Sequence, residues 1–261
     1  MSEFSLSLSR ARQAAENGHF EDAVRVAGRL VEENPQDFGA LFLLGESLAE
    51  LGRPEQAIPH LEKAAAMRTD ALEVRFALAD ACFEAGRSRQ AADIYQAIID
   101  QEPSQIDALV SLGLVHFQAG DAESAERLYR LALEADPDAV FALQSLGDLC
   151  LAAGRLDEAQ ACFSKARDLD PDDPQNSFNL AELQQEKGDL IQAAANCREA
   201  IRVDPGFAPA YLTLGSISLD QDLVQEAVQC FRNFLKLENS DASRDVRDEV
   251  AALLKDLENE L

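Results

Sequence analysis

The chain of 261 residues is 47% hydrophobic and 27% charged, a globular balance whose length predicts one large domain or two small ones. Its formal net charge is −25, from 23 basic and 48 acidic side chains. No stretch of clustered Lys and Arg interrupts this negative charge, so the composition argues against binding to nucleic acid or to anionic membrane surfaces.

The N-terminal residues Met1 to Arg10 lack the basic start and apolar run that are typical of a secretory signal. No apolar run approaches the ~18 residues that a membrane-spanning helix needs. The five cysteines are an odd number without a Cys-x-x-Cys pair, which disfavours a disulfide framework and a zinc site. We therefore expect a cytoplasmic protein that does not insert into a membrane.

Three residue types recur along the chain with a single period of 34 residues. The recurring glycines are Gly18, Gly52, Gly86, Gly120, Gly154 and Gly188. An alanine follows each of them by five positions, and the series of alanines continues to Ala227. The prolines on the same period are Pro35, Pro103, Pro137, Pro171 and Pro205. Such a period predicts a stack of helix-turn-helix repeats.

Each recurring residue has a local structural role. The glycine follows an apolar helical stretch, where a reversal of the chain requires a positive φ angle that glycine adopts without steric cost. The alanine lets the second helix of the repeat approach the first closely. The proline ends the second helix, and short polar residues such as Asp138 and Asp172 are placed to cap the helix that follows.

Between these markers lie Leu-Gly pairs such as Leu112-Gly113, and large rings follow the alanine by four residues, as at Tyr129 and Phe163. This pattern, Leu-Gly…Ala-x3-Phe…Pro, resembles the tetratricopeptide repeat family over nearly the whole chain. The resemblance implies an all-α fold, an α-solenoid of about seven helix-turn-helix repeats that form a right-handed superhelix. The predicted array spans residues 1–241, with repeats at 4–37, 38–71, 72–105, 106–139, 140–173, 174–207 and 208–241.

The segment 242–261 is predicted to form an amphipathic helix. The apolar residues on its predicted face are Val246, Val250, Leu253, Leu254, Leu257 and Leu261. We expect this helix to cap the apolar end of the seventh repeat. A dimerising coiled coil is the alternative, which the roughly two heptads present support less well.

The sequence predicts no catalytic, metal or cofactor site. The three histidines, His19, His60 and His116, are spaced too far apart to ligate one metal, and His116 falls at a core position of its repeat. The cysteines recur at fixed repeat positions, which is typical of small apolar fillers. No nucleophile elbow, phosphate-binding loop or dinucleotide-binding motif occurs. We therefore predict that the chain is not an enzyme.

In the family that the chain resembles, ligands lie along a concave groove lined by the first helices. Carried onto this chain, the groove positions give an apolar stripe of Phe42, Phe76, Phe83, Val110, Phe117, Leu151 and Phe178. They also give an acidic stripe of Glu46, Glu50, Glu73, Asp80, Glu84, Asp107, Asp148, Glu182 and Glu186. Such a groove suits a protein segment with hydrophobic anchors and Lys or Arg. Alternatively, the rings pack between neighbouring first helices and the carboxylates are merely solvated.

The resemblance implies a non-catalytic scaffold or adaptor for protein–protein interaction, with assembly factor and chaperone as candidate roles. The sequence leaves two alternatives open. The first is a self-assembling structural scaffold, for which a homo-oligomer is expected. The second is a regulatory subunit of an enzyme that is supplied in trans.

Overall fold

A computed structural model of the chain describes residues 3–240 and 243–260, and this part of the chain forms fifteen α-helices and no β-strand. Successive helices pack against one another in pairs, which confirms the predicted all-α class. The helices divide into two compact units, one ending at Ala135 and the other beginning at Asp136. The further division into seven repeats and a capping segment stays a prediction, and its residues 1, 2, 241, 242 and 261 lie outside the described part.

The first unit contains four helical pairs. Their bounds are α1 Glu3–Glu16, α2 Phe20–Glu33, α3 Phe38–Glu50, α4 Pro54–Met67, α5 Leu72–Glu84, α6 Ser88–Gln101, α7 Ile106–Gln118 and α8 Ala122–Ala135. Neighbouring pairs share a continuous core. Leu41 of α3, for example, is fully buried in one cluster with Ala64 of α4 and Val74 of α5, and Val31 of α2 packs against that cluster.

The second unit contains three helical pairs and a longer final helix. Their bounds are α9 Val140–Ala152, α10 Leu156–Leu169, α11 Pro174–Glu186, α12 Leu190–Val203, α13 Ala208–Asp220, α14 Val224–Leu237 and α15 Arg244–Glu260. One seam of this unit is polar: the Gln144 amide of α9 donates to Asp173 Oδ2 (3.0 Å) and to Asn176 Oδ1 (2.9 Å). The Asn176 amide in turn donates to the carbonyl of Asp170 at 2.8 Å, so these buried amides satisfy one another.

The turn inside each pair depends on a left-handed residue. Gly120, between α7 and α8, has a φ angle of +81°, and its N–H donates to the Phe117 carbonyl at 2.9 Å. The N–H of Asp121 then donates to the His116 carbonyl at 2.9 Å, which completes the cap of α7. The seventh pair has Asp222 at the same place, with a φ angle of 59°, because aspartate is one of the few other residues that tolerate this region.

A close approach between the two helices of a pair accounts for the Leu-Gly pattern. A methyl group added to Gly113 would lie 2.4 Å from Tyr129 Cε1, and one added to Gly147 would lie 2.4 Å from Phe163 Cε1. Gly215 stands in the same relation to the ring of Phe231, at 2.5 Å. The large side chain of the second helix therefore occupies the space that the missing Cβ atom leaves on the first helix.

Two local predictions are wrong. Asp138 does not cap α9, because the N-cap residue is Ala139, and the Asp138 carboxylate instead pairs with Lys165 Nζ at 2.9 Å. Asp172 does not cap α11; the next residue, Asp173, does, by accepting from the Gln175 N–H at 2.9 Å. In both cases the N-cap lies one residue beyond the predicted one; at α11 its side chain caps a free N–H group, whereas Ala139 at α9 makes no side-chain cap hydrogen bond.

His116 also departs from its predicted core position. Its side chain keeps about a third of its surface exposed, and Nδ1 lies 3.2 Å from Asp121 Oδ2. Cys82 and Cys150, which hold the same repeat position, are fully buried. The imidazole turns towards the acidic start of the next helix because burial without a partner would cost its polar nitrogens their hydrogen bonds.

The final helix packs on the last pair through a narrower face than the sequence predicts. Val250 is buried in one cluster with Phe231 and Phe234, and Leu254 and Leu257 pack against that cluster. Outside it, Arg232 of α14 donates to Glu258 at 2.6 Å. Val246 and Leu253 belong to the predicted apolar face, yet they are 41% and 39% exposed. Helix α15 thus turns one apolar stripe inward and leaves a second one in solvent.

Replacing glycine by alanine should have opposite effects at Gly113 and Gly28. Gly113→Ala forces a Cβ atom into the Tyr129 ring, so we expect it to lower the free energy of unfolding by roughly 1–3 kcal/mol. Gly28 lies inside α2 with open space at its Cβ position, and Gly28→Ala should raise that free energy by roughly 0.5–1 kcal/mol. Urea denaturation measures both values. Two changes of the same sign would show that the close approach does not hold the pair together.

Candidate protein-binding surfaces

The first unit carries an open cleft of about 930 Å³ between its first helices α3 and α5, closed at one end by the start of α4. The residues that line it are Glu46, Ala49, Glu50, Gly52, Pro54, Glu73, Phe76, Ala77, Asp80, Ala81 and Glu84. Five of them are carboxylic acids and none is basic, so the cleft holds a concentrated negative charge. Six predicted groove residues meet here: Glu46, Glu50, Glu73, Phe76, Asp80 and Glu84.

The small residues that line the cleft were not predicted from the sequence. Ala49 of α3 and Ala77 and Ala81 of α5 form part of the floor, and Pro54 closes the end. The prediction selected charged and aromatic side chains at groove positions, whereas the depth of a cleft depends on where side chains are short. The recurrence of alanine on both first helices was the available signal.

Crowding in the cleft raises the pKa values of Glu46, Asp80 and Glu84. The pKa of Glu46 is raised mainly because protein atoms displace water around the carboxyl group, and further by the charges of Glu50 and Glu73; Arg12 opposes the shift. The pKa of Glu84 is raised by the same desolvation and by Asp80 and Glu50. These residues are exposed as a whole, so the desolvation acts on the carboxyl group against the cleft wall. Each carboxylate is therefore charged at a free-energy cost.

Asp80 has a structural contact in addition to its place in the cleft. Its carboxylate accepts a hydrogen bond from the hydroxyl of Tyr95, whose side chain is 1% exposed. Burial raises the pKa of Asp80, and this hydrogen bond partly offsets the rise. The pKa of Tyr95 is raised by burial and by the same carboxylate, so the hydroxyl remains the donor. A substitution at Asp80 would leave a buried hydroxyl without its acceptor.

The phenylalanine side chains of the first helices in this unit are half-buried. The ring of Phe76 forms part of the cleft wall and lies 6.3 Å from the ring of Tyr95. Phe42 stacks on Phe38 at 6.1 Å, and the guanidinium of Arg68 lies 4.2 Å from the centre of the Phe38 ring. The rings thus combine packing between neighbouring helices with partial exposure. Outside the cleft lining, Phe83, Val110 and Phe117 are likewise half-buried, and Asp107 is exposed.

The second unit has its own pair of acidic groups, on α9 and α11. The pKa of Asp148 is raised to about 6, first by burial of the carboxyl group and then by the charge of Glu182. Burial also raises the pKa of Glu182. A shallower cleft of about 460 Å³ lies beside them, lined by Leu151, Ala152, Glu182, Gln185 and Glu186. This surface repeats the negative character of the first cleft without a ring in its lining.

Phe178 does not belong to an exposed apolar stripe, contrary to the prediction. Its ring is 8% exposed and packs edge-on against Phe207, with the ring centres 5.4 Å apart, in a core cluster with Leu214. Conversely, Phe141, at the second position of its repeat, is 73% exposed, although the predicted apolar stripe does not include it. The sequence gives both residues groove positions, and the presence of a neighbouring ring decides which one is buried.

Within the described ranges, no group of three His, Cys, Asp or Glu side chains is placed to hold a metal ion. The cysteines Cys82, Cys150, Cys197 and Cys230 are buried, and burial raises the pKa of Cys197 to about 12 and that of Cys230 to about 11. In residues 3–240 and 243–260, no helix combines the length and the apolar character needed to cross a membrane.

Comparison with known proteins places the whole pattern in one family. Three tetratricopeptide repeat profiles match, one at residues 48–113 and 116–182, one at 8–71, and one at 175–207 and 208–241. No curated protein matches the chain. A tetratricopeptide repeat protein from Parabacteroides merdae ATCC 43184 has a similar structure, with 20% identity, a TM-score of 0.78 and coverage of 97% of this chain and 98% of that one.

Two further solved structures share the fold. The crystal structure of MamA is 27% identical, with a TM-score of 0.54, over 62% of this chain and 94% of that chain. The anaphase-promoting complex heterotetramer Cut9–Hcn1 matches at 14% identity and a TM-score of 0.69, over 92% of this chain and 48% of that chain. The latter likeness, at low identity, concerns the fold alone.

The raised pKa of Asp148 predicts a stability difference that depends on pH. Because this pKa is about 6 in the folded chain and lower when unfolded, the folded state binds more protons between about pH 4 and pH 6. The group therefore lowers the free energy of unfolding as the pH rises through this window. We expect Asp148→Asn to melt at a higher temperature than the wild type at pH 7, with the gap closing towards about pH 4.

Differential scanning fluorimetry across this pH range measures the gap. Asp93→Asn, at an exposed position of α6, is the matched control and should show no such pH-dependent gap. A gap for Asp148→Asn that stays constant with pH would contradict the burial of this carboxyl group.

Proposed function

We propose that this chain, which belongs to the tetratricopeptide repeat family, binds a protein segment that presents Lys or Arg beside a hydrophobic anchor. The family is typically a non-catalytic protein-interaction fold, and the chain is accordingly a scaffold for protein–protein contacts. The finer part of the proposal concerns which surface binds and what it recognises. It rests on the acidic cleft between α3 and α5.

The charge of the cleft supports a basic partner. The pKa of Glu46 is raised by desolvation and by the charges of Glu50 and Glu73, and that of Glu84 by desolvation and by Asp80 and Glu50, so negative charge is held here at a cost. A Lys or Arg side chain that enters the cleft lowers those pKa values and relieves the repulsion. Water excluded at the walls makes this attraction stronger than it would be between fully solvated groups.

The shape of the cleft supports a hydrophobic anchor. Phe76 stands in the wall, and Ala77 and Ala81 leave room beside it, so an apolar side chain can bury against the ring and the short side chains. The open cleft, of about 930 Å³, suits a chain segment laid across the first helices, since it is not enclosed around a small molecule.

An adaptor or assembly role follows from these properties. A contact with a partner subunit, made through the acidic cleft, is the role that we infer here. A regulatory contact with an enzyme in trans would use the same cleft, and the identity of the captured partner decides between the two roles.

Reversing the cleft charge should abolish partner binding. The test variant is Glu46→Lys, Glu73→Lys and Glu84→Lys; Asp80 is left in place because it accepts the Tyr95 hydroxyl bond. The control variant is Glu32→Lys, Asp93→Lys and Glu102→Lys, which makes the same charge change at exposed positions outside the cleft. Native lysate is passed over each immobilised protein, and the captured proteins are identified by mass spectrometry. We expect partners that the control retains to be lost from the cleft variant.

A defined probe makes the same test quantitative. A synthetic peptide with two Leu or Phe anchors flanked by Lys should bind the wild type and the control alike, and the cleft variant about tenfold or more weakly. Its counterpart with Glu in place of Lys should not bind. Equal affinity of the basic peptide for all three proteins would remove the cleft from consideration.

A further inference from the structure

The first helical pair carries a second cleft whose charge is opposite to that of the rest of the chain. This cleft, of about 440 Å³, lies between α1 and α2. Its lining includes Phe4, Ser7, Arg10, Val26, Arg29 and Glu33. Two guanidinium groups therefore stand over a partly apolar floor in a chain whose formal net charge is −25.

The α1–α2 cleft lacks two leucines that the first helix of the next pair carries at the same repeat positions. Ser7 and Arg10 hold the repeat positions that Leu41 and Leu44 hold in α3, where both leucines are buried. There, Val31 of the preceding helix packs against the cluster of Leu41. A polar pair in place of two leucines suits a contact that forms and breaks in water, because a permanently covered surface would be apolar.

Both arginines are available for a partner. Arg10 and Arg29 are exposed, and neither forms an ion pair with the side chains of residues 4–240 and 243–259. One acid, Glu33, shares the lining with them. The occupant that complements this cleft is an amphipathic helix with apolar residues and carboxylates on one face.

The chain itself contains a helix of this description. Val246 and Leu253 of α15 are exposed and lie seven residues apart, hence about 10 Å apart on one side of the helix. Glu249 and Asp256 follow them by three residues each and share this stripe. The adjacent stripe, which includes Val250, packs against α14, so α15 can present the outer stripe without leaving its own core.

We infer that the outer stripe of α15 docks into the α1–α2 cleft of a second copy of this chain. Val246 and Leu253 would then cover Phe4 and Val26, while Glu249 and Asp256 meet Arg10 and Arg29. The two surfaces differ, so the contact is head-to-tail, and each added copy leaves one free surface of each kind. The large net negative charge of every copy opposes this association, which makes it weak and reversible.

The inference is independent of the proposed partner cleft. It uses α1, α2 and α15, whereas the partner cleft lies on α3, α4 and α5. Charge reversal at one surface therefore leaves the other surface unaltered, and either proposal can fail alone.

Analytical ultracentrifugation over micromolar to millimolar chain concentrations tests the contact. The wild type should show a mass that rises with concentration. The head variant, Arg10→Glu with Arg29→Glu, and the tail variant, Glu249→Arg with Asp256→Arg, should each associate at least tenfold more weakly. A control variant, Arg89→Glu with Arg127→Glu, makes the same charge change as the head variant on α6 and α8 and should associate like the wild type. Circular dichroism verifies that every variant keeps its helical content.

Mixing the variants provides the decisive measurement. An equimolar mixture of head and tail variants should associate in alternating order, because the acidic cleft of the head variant meets the basic helix of the tail variant while their two unaltered surfaces still meet each other. A wild type that is monomeric throughout would overturn the inference, as would association that neither variant weakens. If instead the wild type stays monomeric and its cleft binds a synthetic Glu- and Leu-rich helix, the occupant is another protein and the inference is wrong.

Discussion

The architecture depends on the contact between a small residue of the first helix and, in most pairs, a large side chain of the second. That small residue is a glycine in α3, α7, α9 and α13 and a buried alanine in α1, α5 and α11. At Gly113 and Tyr129 this contact brings the two helices so close that no Cβ atom fits between them. The contact fixes the rotation of the first helix about its axis, because only one face of that helix carries the glycine. The groove positions lie on the face turned away. The acidic cleft is thus a consequence of the packing behind it, and its carboxylates are displayed by helices that cannot rotate to hide them.

Most of the fold follows from the sequence because each repeat is locally determined. The period of glycine, alanine and proline specifies turns and helix ends within 34 residues, and such local signals need no knowledge of distant contacts. The acidic stripe of the first unit could be placed for the same reason, since residues at one repeat position share a face. Whether an individual side chain is buried or hydrogen-bonded could not be predicted from the repeat position. Phe178 is buried because Phe207, the residue before α13, lies against it, and Asp80 accepts a hydrogen bond from Tyr95; the repeat pattern implies neither contact.

The cleft carboxylates show how a binding surface opposes stability. Desolvation and mutual repulsion raise the pKa values of Glu46 and Glu84, so the folded chain holds these charges against their electrostatic preference. Neutral residues would stabilise the array and would also remove the attraction for a basic partner. Under the function that we propose, a cation that enters the cleft recovers the free energy lost in folding, a trade that is common at functional surfaces.

The amide seam between α9 and α11 has a consequence for how such an array can evolve. Repeat proteins lengthen by duplication and exchange of whole repeats. This requires junctions that are apolar and therefore interchangeable. Gln144, Asp173 and Asn176 make this junction specific, because the amide of Gln144 finds its two acceptors on the residues across the seam. A recombination event that moved either helical pair beside a leucine-lined neighbour would leave buried amides without hydrogen-bond partners in an apolar interface. The helical pairs α9–α10 and α11–α12 are therefore expected to be inherited together, as one indivisible block within an otherwise modular chain.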